Sequence, residues 1–72
     1  MYIEVTHRSE AVEVLRSGRM LWCHDGGEGR QLNDPANWSK RAIRRLVAQY
    51  YREERYWTGQ NVIRFSYWKN GE

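Results

Sequence analysis

The segment from Pro35 to Trp57 constrains the fold of this 72-residue chain more than any other part. Successive residues of an α-helix turn by about 100°, and apolar residues recur here at the matching three- and four-residue spacing. On one face the spacing places Ala42, Ile43, Leu46, Val47, Tyr50 and Trp57. A helix of about 35–57 with one apolar stripe has to bury it, so the rest of the chain is expected to supply the covering surface.

Two positions can cap the start of this long helix. Asp34 precedes Pro35, and proline suits the first helical turn because its φ angle is already helical. Ser39 offers a second cap if the helix begins later. At the other end, Gly59 predicts the stop.

The opposite face of the predicted helix is cationic. It carries Arg41, Arg44, Arg45, Arg52 and Arg55. A helical-wheel projection of the segment places three aromatic residues beside these arginines: Trp38, Tyr51 and Tyr56. Like charges spaced three or four residues apart destabilise a helix by about 0.2–0.5 kcal/mol per pair. Helix stability alone therefore does not favour this pattern, and these eight residues are the candidate binding surface.

The first part of the chain predicts a strand and a short helix. Residues 2–6 alternate with period two and contain β-branched side chains, which is typical of a strand. Apolar residues then recur at helical spacing over 9–17. Ser9 is the expected cap of that helix, and Gly18 its expected end.

A hairpin and a last strand complete the predicted elements. The apolar run 20–24 and a short arm at 30–32 flank the turn signal Asp25-Gly26-Gly27, and residues 61–68 alternate as a strand. The order β-α-β-β-α-β predicts a small α+β domain of ferredoxin-like order, an antiparallel sheet with helices on one face. If 30–32 does not pair, the alternative is a three-stranded sheet packed by the long helix.

Composition and length limit the class of protein. The 40% hydrophobic and 29% charged residues are those of a globular chain, and the length predicts a single compact domain, 1–72. Cys23 is the only cysteine, so an internal disulfide and a zinc site of four thiolates are excluded. No apolar run is long enough to span a membrane. A bacterial or host cytosol is the expected location.

Catalytic and metal-binding motifs are not found. His7 and His24 are the only imidazoles, and neither has ligand spacing to another metal-binding residue. Residues 26–29 are rich in glycine but lack the lysine and hydroxyl residue of a phosphate-binding loop. We expect no enzyme activity, metal, cofactor or small-molecule substrate. The enzyme alternative is a small metal-free nuclease of the toxin type, with His24 as base.

Charge distribution favours a binding protein. Residues 1–36 hold four bases and six acids, whereas 37–72 hold eight bases and three acids, so the net charge of +3 is concentrated in the second half. The first hypothesis is a regulator or inhibitor whose arginine and aromatic residues dock on an acidic surface of a larger machine. Phage-encoded inhibitors of host nucleic-acid-handling complexes exemplify this class. The alternative is a nucleic-acid-binding module whose arginines contact phosphates. The oligomeric state stays open.

Overall fold

The structure is a computed structural model that describes residues 2–23 and 29–67. Its elements are β1 (Tyr2–Val5), α1 (Arg8–Ser17), β2 (Met20–Cys23), β3 (Gly29–Arg30), a 3-10 turn (Pro35–Asn37), α2 (Lys40–Thr58) and β4 (Ile63–Tyr67). All neighbouring strands are antiparallel. The predicted α+β fold and the chain order β-α-β-β-α-β are confirmed.

The sheet has the spatial order β1-β4-β2-β3. The order along the chain is that of a ferredoxin-like sandwich, whereas in space the second and fourth strands are central. β3 pairs with β2 through Trp22 opposite Arg30 and Cys23 opposite Gly29, so the three-stranded alternative is not adopted. The second arm lies at Gly29–Arg30 instead of 30–32. His24 and the predicted turn at 25–27 lie outside the described residues, as does residue 68 of the predicted last strand.

One face of the sheet forms the core. The register sets Val5 opposite Ile63 and Trp22 opposite Phe65, and all four side chains are buried on the same face. Both helices pack against this face and contact each other. From the helices the core receives Ala11, Val12, Leu15, Ile43, Val47, Tyr50 and Tyr51.

The long helix begins at the later of its two candidate caps. Ser39 Oγ accepts a hydrogen bond from the backbone N–H of Ala42 at 3.1 Å, which satisfies one of the unpaired donors of the first turn. Asp34 and Pro35 instead begin the 3-10 turn. The helix ends at Gly59, whose φ of +74° is a left-handed conformation that glycine adopts most easily.

The first helix begins one residue before its predicted start. His7 is its N-terminal cap residue, with no side-chain capping bond, and the helix starts at Arg8, so the prediction of Ser9 as the cap is wrong. The predicted end is confirmed, because Gly18 closes the helix with a φ of +72° and its N–H bonds to the carbonyl of Leu15.

Helix α2 is rotated about its axis relative to the sequence prediction. Trp57, predicted in the core, is 62% exposed, and Tyr51, predicted at the border of the cationic face, is only 2% exposed. Glu54 is fully buried. The buried arc of α2, which is the part of its circumference that faces the core, therefore lies about 50° from the predicted apolar stripe. This angle is half of the rotation between successive residues of a helix.

Two long-range hydrogen bonds account for this rotation. The Tyr51 hydroxyl donates to the backbone carbonyl of Val5 at 2.9 Å, and Trp22 Nε1 donates to Glu54 Oε2 at 2.9 Å. Each bond satisfies a polar group that would otherwise be costly to bury. With those partners available, both residues can face the sheet.

Candidate functional site

The cationic face of α2 is exposed in the fold. Arg41, Arg44, Arg45, Arg52 and Arg55 are all exposed, as the sequence predicts. Within residues 2–23 and 29–67, none of these five guanidinium groups forms an ion pair or a side-chain hydrogen bond. In this part of the chain, no carboxylate neutralises them.

The rotation of α2 divides the cationic face into a centre and a flank. Arg41, Arg45 and Arg52 project away from the buried arc, while Arg44 lies on the flank beside α1 and lines a groove there. Arg55 is eleven residues after Arg44, about three helical turns, and so lies on the same flank. From Arg41 to Arg55 the face extends along the helix for about 21 Å.

The start of α2 concentrates positive charge. Lys40, Arg41, Arg44 and Arg45 occupy four of its first six positions, and its first turn contains no acidic residue. The N-terminal end of a helix already carries a partial positive charge, so cations in its first turn reduce helix stability. Helix α1 differs in its first turn, where Glu10 accompanies Arg8, whereas both helices have a base in the last turn. The first turn of α2 therefore adds side-chain cations to the positive end of the helix dipole, which lowers the stability of the helix.

The acidic residues of α2 do not neutralise the positive charge of the arginines. Glu53 is half-buried and accepts a hydrogen bond from Gln49 Nε2 at 3.2 Å. Glu54 faces the sheet, where Oε2 accepts from Trp22 and Oε1 lies 3.9 Å from Arg64 Nη1. The two carboxylates thus have partners other than the cationic face.

Two adjacent aromatic residues lie at the C-terminal end of this face. Tyr56 is 79% exposed, as the sequence predicts, and its ring meets that of Trp57 edge to face, with centroids 5.0 Å apart. Trp57 is not part of the predicted surface because helical spacing assigns it to the core. No local signal in the sequence separates an exposed tryptophan from a buried one.

The other two predicted aromatic residues are placed differently. Tyr51 is buried and so does not belong to the exposed surface; burial raises its pKa, and Arg8 offsets part of that rise. Trp38 is 39% exposed, but it precedes α2, so the helical wheel does not apply to it. Its Nε1 donates to the carbonyl of Asn33 at 2.9 Å, which fixes the ring beside the segment that leads into α2.

Beneath this surface, aromatic rings anchor the helix to the sheet. The rings of Trp22 and Tyr50 stack with centroids 4.2 Å apart, and the Arg30 guanidinium lies 5.6 Å from the centroid of the Trp22 ring. Burial raises the pKa of Tyr50, and Arg30 opposes that rise. Because these rings are packed inside, their role is to hold α2 in position rather than to contact a ligand.

In the described part of the chain, no cluster of three or more His, Cys, Asp or Glu side chains has the geometry to hold a metal ion. Among the described helices, none is long and apolar enough to cross a membrane. No family model, curated protein or solved structure matches the sequence or the fold.

Proposed function

We propose that the protein is a regulator or inhibitor that docks the cationic face of α2 onto an acidic surface of a larger protein or assembly. The observation that carries the proposal is the set of five exposed arginines without an anionic partner among the described residues. An acidic partner would supply the missing anions. It would also offset the unfavourable charge at the start of the helix.

Residue type favours a protein partner. Arginine, tyrosine and tryptophan dominate the energetic centres of protein interfaces, and lysine is depleted there. The cationic face consists of arginines and ends at the exposed pair Tyr56 and Trp57. A guanidinium binds a carboxylate through two parallel hydrogen bonds, whereas large rings add contact area with few rotatable bonds to fix.

Nucleic acid is the second candidate, and the length of the cationic face is the observation that favours it. Arginines distributed over about 21 Å can contact several phosphates of one strand. Aromatic rings beside them can stack on bases. Added salt distinguishes the two candidates. It weakens nucleic-acid binding strongly, because phosphate contacts release condensed counterions.

Selection from a library of displayed random peptides tests the protein-binding proposal and does not require the partner to be identified. We expect the enriched peptides to combine aspartate or glutamate with aliphatic or aromatic residues. The triple variant Arg41→Glu, Arg45→Glu and Arg52→Glu should lose these peptides. Arg16→Glu with Arg19→Glu is the control, because both residues are exposed outside α2 and the charge also becomes more negative.

Fluorescence anisotropy with labelled single-stranded DNA, duplex DNA and RNA separates the two candidates. At about 50 and about 200 mM salt, the proposal expects weak binding that disappears at the higher concentration. Submicromolar binding that persists at the higher salt and is lost in the triple variant would replace the proposal with the nucleic-acid alternative. Peptides bound equally by the triple variant would refute the cationic face under the proposed function.

A further inference from the structure

A groove between the two helices extends the cationic face onto α1. Arg8, Ser9 and Val12 line it from α1, and Arg44 and Val47 line it from α2. Its volume is about 220 Å³. Val12 and Val47 are buried, whereas Arg8 and Arg44 are exposed, so the groove has an apolar floor and a cation from each helix.

The two cations of the groove have no anionic partner among the described residues. The Arg8 guanidinium lies 6.0 Å from the centroid of the Tyr51 ring, which places it along the flank of α2. The Tyr51 ring is itself fixed, since its hydroxyl bonds to the first strand. Arg8 and Arg44 thus line the same groove, and the ring contact of Arg8 leaves its hydrogen-bond donors free for a ligand.

The size of the groove indicates its class of occupant. Small-molecule sites usually enclose about 300–1,000 Å³, so this groove is smaller than a typical site for a cofactor or a nucleotide. It has room for one protein side chain. Two guanidinium groups above valine side chains complement a carboxylate carried on a short aliphatic stem.

We propose that the groove receives a single glutamate or aspartate side chain of the protein partner. The carboxylate would bind between Arg8 and Arg44, and its methylene groups would contact Val12 and Val47. This inference rests on the proposed function and adds that the docking surface crosses from α2 to α1. It also assigns a binding role to Arg8, which the wheel of the long helix could not include.

Nuclear magnetic resonance titration of the full chain tests the groove with defined probes. The probes are the blocked tripeptide Leu-Glu-Leu, its neutral match Leu-Gln-Leu, and inorganic phosphate. We expect Leu-Glu-Leu to shift the backbone amides of Ser9, Val12 and Val47. The neutral tripeptide should bind about tenfold more weakly, which is the size of one charge-assisted hydrogen bond.

Single variants give the second readout. Arg8→Gln and Arg44→Gln should each weaken binding of Leu-Glu-Leu about tenfold, while the matched control Arg19→Gln should leave it unchanged. Thermal unfolding of each variant checks that the fold is retained. Arg8→Lys keeps the charge but not the planar fork, so it should recover only part of the affinity.

Several outcomes would overturn the groove assignment. They are equal binding of the two tripeptides, amide shifts confined to Arg41, Arg45 and Arg52, or unchanged affinity in Arg8→Gln. Binding of phosphate as tight as that of Leu-Glu-Leu would show that the groove selects phosphate rather than carboxylate. The peptide selection with the triple variant is independent of all these results, so the groove can fail while the proposed function stands.

Discussion

Replacing Glu54 with leucine is expected to lower the free energy of unfolding by about 3 kcal/mol. Glu54 is fully buried, and its Oε2 accepts a hydrogen bond from Trp22 Nε1 at 2.9 Å. Its Oε1 lies 3.9 Å from Arg64 Nη1, and both of these atoms are buried without a hydrogen bond to another described residue. Leucine fills a similar volume but leaves the indole N–H and the guanidinium without their carboxylate.

The magnitude follows from the two interactions that are lost. A hydrogen bond to a charged group contributes about 1.5–3 kcal/mol, and removing one member of a buried ion pair costs about 3–5 kcal/mol. Arg64 is 23% exposed and keeps two other contacts, with Glu4 Oε2 at 3.4 Å and Gln60 Oε1 at 3.1 Å. Because Arg64 is only partly stranded, the lower end of the range applies.

Urea unfolding followed by circular dichroism measures this effect. A domain of this size has a stability of about 3–5 kcal/mol, so Glu54→Leu alone should keep only about 0–2 kcal/mol and unfold at a much lower urea concentration. The double variant Glu54→Leu with Arg64→Met should regain at least half of the loss, since an apolar pair can replace a buried ion pair. A single variant within about 0.5 kcal/mol of the wild type would refute the reasoning. A double variant no more stable than the single would equally refute it.

Three further outcomes concern the packing of α2 and the helix ends. Tyr51→Phe removes the buried hydroxyl that donates to Val5 and should cost about 1–2 kcal/mol in the same urea experiment. Burial raises the pKa of Tyr51 in the folded state, so the free energy of unfolding should fall as the pH rises above about 10. The fall should be at most about 1.4 kcal/mol per pH unit, and Tyr51→Phe should reduce it. Gly18→Ala should lower the thermal midpoint of unfolding more than Gly59→Ala. Both glycines have a positive φ, but only at Gly18 would the added Cβ lie close to another residue, 3.1 Å from Pro35 Cγ. Equal midpoints for the two alanine variants would contradict the last of these.

The sequence is sufficient to predict the elements because each has a local signal. Alternation predicts the first and last strands, and an apolar run before a turn signal predicts the hairpin. Three- and four-residue spacing predicts the helices, and Gly18 and Gly59 mark their C-terminal ends. Ser39 and Asp34 are both candidates for the cap of α2, and the structure has Ser39. The spatial order of the strands has no local signal, since it depends on which distant strands pair.

The orientation of α2 could not be predicted because it is set by partners far away in the sequence. Tyr51 bonds to a residue 46 positions earlier, and Glu54 bonds to one 32 positions earlier. A helical wheel assigns a phenol and a carboxylate to the border or the outside, because it contains no information about such partners. The two hydrogen bonds, together with the Arg64 ion pair of Glu54, offset part of the cost of burying these groups, and Trp57 is turned outward.

The burial of these two polar side chains therefore decides which arginines can meet a partner. On the predicted wheel, Arg44 and Arg55 belong to the cationic face on equal terms with Arg41, Arg45 and Arg52. In the rotated helix those two arginines face the α1 side, and Arg44 lines the groove with Arg8. A flat acidic surface would contact the outer three, whereas reaching Arg44 requires a side chain that projects between the helices. The same rotation that buries Tyr51 thus divides one stripe of arginines into the outer face that we propose for docking and the groove that we propose for a single acidic residue.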